Sequence, residues 1–113
     1  MDRSKALAAL SALANETRLE LVRALIVGGR DGMAAGEIAR HLDVSASRLS
    51  FHLAALEQAG LITSRRASRH VYYAADFGGI GGVISYLLND CCKGHPAISA
   101  CCQQKGEVIR SEP

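Results

Sequence analysis

Apolar residues recur every three or four positions at the start of the chain, which is the spacing of one face of an α-helix. Residues 4–14 predict a first helix, because Leu7, Leu10 and Leu13 lie three apart with small alanines between them. This helix has too little polar surface to stand alone. The pattern therefore requires further elements that pack against it.

A second helix is predicted over residues 16–27, with Asn15 as its N-cap and Gly28-Gly29 as its end. Its apolar positions form one stripe widened by two more residues, namely Leu19, Val22 and Ile26 with Leu21 and Leu25. A stripe of this width indicates a helix that is buried along one side.

A helix-turn-helix pattern follows the turn signal at Asp31-Gly32. Residues 36–42 predict a short helix, and Ser45 is placed to cap a second one over residues 46–58. The few residues between the two helices leave room only for a tight turn. This is the spacing of a helix-turn-helix.

The helix over residues 46–58 has an apolar side and a short polar side. Leu49, Leu53 and Leu56 repeat at i, i+4 and i+7 and predict the buried side. The remaining faces carry short polar or partly apolar residues, namely Ser47, Arg48, Ser50, Phe51 and Ala54.

Beyond Gly60, two β-prone segments at residues 61–66 and 69–74 flank Ala67-Ser68, which predicts a hairpin with its tip at those two residues.

Residues 80–89 predict a last helix that is apolar nearly all round, so it needs burial against a second copy of the chain. The predicted fold is mainly α with a small β-hairpin, a dimeric winged helix-turn-helix.

The composition agrees with one small helical core. The 113 residues are 49% hydrophobic but only 4% aromatic, with no Trp. We expect a single domain over residues 1–113 that ends in a cysteine-rich tail at about residues 90–113. No apolar run approaches the roughly 18 residues of a transmembrane helix, and no cleavage site is evident. The expected location is the cytoplasm, with no membrane partner.

Positive charge is concentrated where a helix-turn-helix would meet DNA. Residues 40–70 hold five arginines against two acidic residues, a local excess of +3 in a chain whose formal charge is +2. The first turns of such a helix face base edges in the major groove. We therefore expect Arg48 to pair with a guanine and Phe51 to touch a thymine methyl.

The candidate DNA-binding residues come from this helix and the hairpin, and they are Ser45, Ser47, Arg48, Ser50, Phe51, His52, Arg66, Ser68, Arg69 and His70. Ser45 and the hairpin residues suit contacts to phosphate or the minor groove. The alternative for each is structural, since serines cap helices, arginines solvate a surface and His52 packs beside Leu56. The cap, polar face and basic hairpin together favour double-stranded DNA as the partner.

All four cysteines lie in residues 91–102, as the adjacent pairs Cys91-Cys92 and Cys101-Cys102. In a reducing compartment such clustering indicates soft-metal binding or redox chemistry rather than structural disulfides. Together with the helix-turn-helix and the basic hairpin, the cysteine cluster predicts a protein that releases DNA when a thiophilic ion binds. An enzyme is not expected, because the chain has no C-x-x-C beside a βαβ unit and no cofactor loop.

Four segments resemble, in order, the ArsR/SmtB family of metal-sensing repressors: ANETRL at residues 14–19, SASRLSFHL at 45–53, AGLI at 59–62 and RHVYY at 69–73. The resemblance covers about residues 4–89. It implies a homodimeric winged-helix repressor, with helix-to-helix dimer contacts at both ends of the chain. It also implies an inverted-repeat operator that the repressor leaves when metal binds.

Two metal sites of that family are missing here. Residues 33–38 hold no Cys-x-Cys, and residues 80–88 hold no His or Glu. What remains resembles the arsenic-sensing subgroup, in which Cys-Cys and then Gly-His-Pro follow the last helix, as in residues 91–96. This resemblance implies trivalent arsenic as the inducer, with antimonite or methylarsenite as alternatives.

The expected ligands are soft thiolates, namely Cys91, Cys92 and Cys101, with Cys102 as the substitute for Cys101. Adjacent residues of a regular helix point about 100° apart, so Cys91 and Cys92 can converge only where the backbone leaves the helix. Gly94 and Pro96 provide that exit. Residues 97–100 should then give slack for a third thiol, and a monomethylated arsenical needs only two.

Other interpretations stay open. Zinc could bind a Cys₃His or Cys₄ set that includes His95, although adjacent cysteines do not fit the usual C-x₂₋₄-C spacing and His95 suits a turn. A thiol redox switch would use the same cysteines. The pairs could also be small apolar filler at a helix end.

Overall fold

The computed structural model describes residues 1–103, with side chains as far as Cys101. The α-helices in this part of the chain are α1 (Arg3–Leu13), α2 (Glu16–Gly28), α3 (Ala35–Leu42), α4 (Ala46–Gln58), α5 (Phe77–Ser85) and α6 (Pro96–Gln103). The strands are β1 (Met33–Ala34), β2 (Ile62–Ala67) and β3 (His70–Ala75). A π-helical segment, Tyr86–Cys91, follows α5 directly.

Polar side chains begin two of these helices where the sequence predicted them. Asn15 Oδ1 accepts a hydrogen bond from the Arg18 backbone N–H at 3.0 Å and starts α2. Ser45 Oγ accepts from the Arg48 backbone N–H at 3.3 Å and starts α4. Each cap satisfies an N–H group that the first turn of a helix leaves unpaired. Both predicted N-caps are confirmed.

Helix α1 is buried through its alanines. Ala6, Ala9 and Ala12 are at most 6% exposed, whereas Leu7 is 57% exposed. Because alanine is small, α1 can lie close to α2 and α4, both of which it contacts. The leucine spacing predicted the helix correctly, but the residues between the leucines form its buried face.

The core lies between α2, α3, α4 and the hairpin. Its largest fully buried side chains are Leu21, Leu25, Ile38, Leu56, Leu61 and Ile62. In α2 the buried side is narrower than the predicted stripe, since Leu19 is 55% and Ile26 is 43% exposed. Those two leave an apolar strip on the outside of α2.

The strands form an antiparallel sheet in the order β1-β3-β2. The hairpin pairs Ile62 with Ala75 at its base and Ala67 with His70 at its tip. Its turn is therefore Ser68-Arg69, one residue later than predicted, and Ser68 adopts a φ of 61°. Strand β1, which pairs with the middle of β3, was not predicted.

The last predicted helix differs in its start and in its end. Helix α5 begins at Phe77 rather than at residue 80, because Asp76 Oδ1 accepts from the Gly79 N–H at 2.9 Å and caps it. It then continues as the π-helical segment. Residues 97–100 belong to α6, so the expected slack there is wrong. Pro96 stands at the first helical position of α6, where proline favours a helix.

The chain divides into a unit of residues 1–83 and a second unit that begins at residue 84. The first unit holds α1 to α4, the sheet and most of α5; the second holds the π-helical segment and α6. Within residues 1–103, no helix has both the length and the apolar character needed to cross a membrane.

Helix α5 approaches the end of α4 more closely than a side chain allows. A Cβ added to Gly79 would collide with the carbonyl oxygen of Gly60. Gly60 lies two residues beyond α4, at a φ of 80°. Beside this contact the Asp76 N–H donates to the Leu61 carbonyl at 2.9 Å. The start of α5 is thus fixed against the segment that ends α4.

We expect Gly79→Ala to lower the free energy of unfolding by about 1–3 kcal/mol, because the added methyl must push two backbone segments apart. The measurement is urea denaturation followed by circular dichroism. Gly78→Ala is the matched control, since a Cβ there meets only Asp76 Oδ1, at an ordinary 3.5 Å. Equal stability of the two variants would contradict the close approach.

Candidate nucleic-acid interface and cysteine segment

Helix α4 starts from a tight turn that α3 provides. Asp43 ends α3 in the left-handed conformation, with φ 56° and ψ 52°. The next N–H, that of Val44, donates to the Ala39 carbonyl at 3.2 Å. Ser45 then caps α4, and its Oγ also lies 3.5 Å from Ser47 Oγ. The turn fixes the direction in which α4 leaves α3.

The two sides of α4 follow the sequence pattern. Leu49, Leu53 and Leu56 are at most 3% exposed and confirm the predicted inward side. The outward residues are all exposed, namely Ser47, Arg48, Ser50, Phe51 and Ala54. Phe51 is 66% exposed, which is unusual for a side chain of its size. An exposed ring on a polar helix face is suited to apolar contact with a base.

An open hollow of about 390 Å³ lies on this outward side of α4. It is lined by Ser47, Arg48, Phe51 and His52. The hydroxyl and guanidinium can donate hydrogen bonds, and the Phe51 ring supplies an apolar wall. The hollow therefore offers hydrogen-bond donors and an apolar surface side by side.

His52 is the one candidate DNA-binding residue of α4 that the structure buries, at 7% exposed. Its Nδ1 accepts a hydrogen bond from Arg18 Nε at 3.1 Å. Burial, and then the charges of Arg18 and Arg48, hold the pKa of His52 below its ordinary value of 6.5. His52 is thus placed to hold neighbouring side chains rather than to reach a base.

Arg18 belongs to this surface and was not among the predicted residues. Its guanidinium carbon lies 5.5 Å from the centroid of the Phe51 ring, a cation–π distance. Since Arg18 and His52 are 34 residues apart, no local spacing pattern joins them. In the sequence, Arg18 stands out only as the arginine three residues after the Asn15 cap.

The hairpin presents its basic residues to solvent. Arg66, Ser68, Arg69 and His70 are all exposed within two residues of the turn. Arg65 is exposed as well, but its Nη2 donates to the Asp31 carbonyl at 3.1 Å and its guanidinium lies 4.9 Å from the Tyr72 ring centroid. Arg65 therefore ties the hairpin to the loop before β1.

The cysteine pair Cys91-Cys92 stands where helical structure ends. Cys91 is the last residue of the π-helical segment, and Cys92 follows with φ −99° and ψ 6°. Lys93 and Gly94 then adopt φ values of 58° and 68°. The helical run thus ends at Cys92 and the backbone turns away at Lys93 and Gly94, which agrees with the exit predicted at Gly94, whereas Pro96 begins α6 instead.

The three cysteines with described side chains are free thiols, with Cys91 and Cys101 exposed and Cys92 half-buried. Desolvation, and then the neighbouring Cys91 thiol, raise the pKa of Cys92 above its ordinary value of 9.0. Cys101 lies on α6, and the side chain of Cys102 lies outside the described residues. Among described side chains, no three His, Cys, Asp or Glu are grouped closely enough to hold a metal ion.

His95 serves the turn before α6. Its Nδ1 accepts from the Ala97 N–H at 3.1 Å, and its carbonyl accepts from the Ile98 and Ser99 N–H groups at 3.1 Å. A nitrogen that accepts a backbone N–H is not free to bind a metal. This placement agrees with the prediction of a turn residue.

Comparison with known proteins adds the family. A helix-turn-helix domain family matches residues 13–65. The transcriptional activator HlyU of Vibrio cholerae is 32% identical over 90 residues, which span 80% of this chain and 81% of HlyU. The chain belongs to the ArsR family of transcriptional regulators.

Two further relatives of this ArsR-family regulator bear on its fold and function. An ArsR-like transcriptional regulator from Rhodococcus sp. RHA1 superimposes with a TM-score of 0.71 at 27% identity, over 88% of this chain and 92% of that one. ArsR of Halobacterium salinarum, named for an arsenical resistance operon, is 40% identical over 70 residues, or 62% of this chain and 54% of that protein. The predicted family and winged helix-turn-helix fold are confirmed; the individual DNA and thiol contacts stay predictions.

We expect Arg48→Ala in this ArsR-family regulator to weaken operator binding by about 1–3 kcal/mol and to relax the preference at one base pair. The reason is that Arg48 is exposed beside the hollow of α4, where a guanidinium can pair with a guanine. Fluorescence anisotropy against single-base operator variants measures both effects. Arg23→Ala is the control, because it removes the same charge from an exposed position on α2, where Arg23 pairs with Glu20 at 3.8 Å. An unchanged affinity for Arg48→Ala would remove Arg48 from base reading.

Proposed function

We propose that this ArsR-family regulator is a dimeric repressor that leaves its operator when a trivalent arsenical binds Cys91 and Cys92. The observation that carries the proposal is the pair of adjacent free thiols at a helix end, where the backbone departs from helical geometry. Trivalent arsenic and antimony are soft and prefer thiolates to oxygen ligands. The name of the halobacterial relative supports the same class of inducer.

Two thiols are the minimum that this chemistry needs. A monomethylated trivalent arsenical keeps two positions for sulfur, so the Cys91-Cys92 pair alone can hold it. Inorganic arsenite or antimonite takes a third thiolate, for which Cys101 or Cys102 must approach the pair. Cys101 lies on α6 and is not grouped with the pair among the described side chains, so its approach requires α6 to move or unwind. The arrangement of the thiols therefore favours a two-thiol inducer over a three-thiol one.

Zinc fits these residues less well than an arsenical. A structural zinc site uses four ligands, and no group of three exists among the described side chains. Peroxide reacts with thiolates, the same form that binds an arsenical, so the raised pKa of Cys92 lowers the reactive fraction for both and does not separate them. A thiol redox switch is the second candidate function, because the adjacent Cys91 and Cys92 thiols are free.

Consecutive elements of the chain connect the thiols with α4, the helix proposed to read DNA. The cysteine pair ends the helical run that α5 begins, and α5 begins against Gly60, just beyond α4. A change in how this run is held therefore acts on the end of α4. In a dimer it also changes the separation of the two α4 helices, which must suit half-sites about 34–36 Å apart. By linkage, operator must weaken arsenical binding by the factor by which the arsenical weakens operator binding.

We expect Cys91→Ser and Cys92→Ser each to abolish release by arsenicals while operator affinity stays unchanged, since serine removes the soft ligand and keeps the side-chain size. The measurement is anisotropy of reduced protein on labelled operator, titrated in turn with arsenite, methylarsenite, zinc and peroxide. Cys101→Ser is the comparison, and it should spare the response to methylarsenite. Retained release in both variants of the pair would overturn the assignment, and release by peroxide alone would establish a redox switch instead.

We expect the protein to be a homodimer at micromolar concentration, since Phe77 is 51% and Ile84 is 46% exposed on a helix that is apolar nearly all round. Size-exclusion chromatography with light scattering gives the mass directly. Phe77→Glu should shift the mass towards the 12.0 kDa monomer, whereas Val27→Glu, on the 84% exposed Val27 of α2, should leave it unchanged. A monomer for the unaltered chain would contradict the dimer.

A further inference from the structure

Arg18 is held at its backbone and at its side chain. Its N–H is bonded by Asn15 Oδ1, so the cap of α2 fixes the start of the side chain. From there the side chain crosses to α4, where Nε donates to His52 and the guanidinium lies over the Phe51 ring. One arginine of α2 thus contacts two consecutive residues of α4.

We propose that Arg18 is a positioning residue for base reading, which holds the Phe51 ring in the orientation that meets a thymine methyl. The inference rests on the proposed contact of Phe51 with DNA and deepens it. Phe51 is 66% exposed, so burial alone does not hold its ring. The guanidinium contact is what restrains the ring before DNA arrives, and a restrained side chain loses less entropy on binding.

The hydrogen bond to His52 determines where the guanidinium lies. A flat guanidinium stacks on a ring only in a limited set of orientations, and the Nε–His52 bond selects one of them. His52 can accept it because His52 Nδ1 carries no proton. His52 itself is only 7% exposed and lies edge-on to Phe51, with ring centroids 5.7 Å apart.

The same bond makes base reading depend on pH. The charged groups that face His52 are Arg18 from α2 and Arg48 from α4 itself, and with burial they favour the neutral ring. As pH falls below 6.5 and through the lowered pKa of His52, the ring gains a proton and Nδ1 can no longer accept. Arg18 then loses its anchor and Phe51 loses its restraint. Affinity for the operator should therefore decrease as the pH decreases through this window.

The test is a methyl scan by anisotropy, in which each operator thymine is replaced in turn by deoxyuridine. For the unaltered protein, one position in each half-site should lose affinity. Arg18→Ala should bind the thymine operator roughly tenfold more weakly and lose its sensitivity at that position. Arg18→Lys keeps the charge but has no Nε–H fork, so it should not rescue the sensitivity.

Two further variants complete the test. Phe51→Ala combined with Arg18→Ala should bind no more weakly than Phe51→Ala alone, because Arg18 acts through the ring. His52→Asn, whose amide oxygen can replace Nδ1 as the acceptor, should keep the methyl sensitivity and flatten the pH dependence below pH 6.5. Circular dichroism and thermal unfolding at the same pH values confirm that each variant is folded.

Three outcomes would overturn the inference. Additive losses in the double variant, or equal losses on thymine and deoxyuridine operators, would show that Arg18 acts on phosphate or on the fold. An operator with no methyl-sensitive position would remove the contact that Arg18 is proposed to position. Arsenical release is read separately in the same assay, so its failure would sink the sensing proposal and leave the methyl scan intact.

Discussion

The burial of one side of α4 determines which residues the protein presents to DNA. Three leucines at most 3% exposed anchor this helix, and α1, α2, α3 and β2 all contact it. Each buried leucine contributes about 1.5–3 kcal/mol. A rotation of α4 by one residue position, about 100°, would expose that leucine side and turn the charged Arg48 inward. Burial of the apolar side therefore decides which residues lie on the polar side.

Local signals explain why α4 was predicted so well. Its bounds, Ala46–Gln58, are those expected from the sequence, because a serine cap stands before it and Gly60 shortly after it. The apolar spacing was equally clear for the inward leucines. Helix α1 had the same kind of leucine spacing, yet close packing turned its alanines inward. Spacing thus gives the helix, while the size of its neighbours decides which side is buried.

The features that the sequence did not reveal depend on residues far apart in the chain. Strand β1 has two residues and forms only because Met33 and Ala34 meet Tyr73 and Tyr72. The Arg18 contact with His52 spans 34 positions, so neither residue alone indicates it. At the other end of the chain, the apolar residues of 97–100 form no clear helical stripe. Helix α6 begins there because Pro96 and the hydrogen bonds to His95 favour its first turn. Most of the fold was accessible from local pattern, and the contacts that refine the site were not.

The position of α4 is set at three places along its length, and in the proposed function each of them bears on how the helix reads DNA. Ser45 fixes its start, the Arg18–His52 bond its middle, and the Gly60–Gly79 contact the segment beyond its end. Thirteen residues make α4 about 20 Å long at 1.5 Å per residue. A tilt of about 10° around the middle would move each end by about 1.7 Å on that length. Hydrogen bonds to bases tolerate only a few tenths of an ångström, so under the proposed function a shift of this size at the start of α5 suffices to break them without unfolding any element.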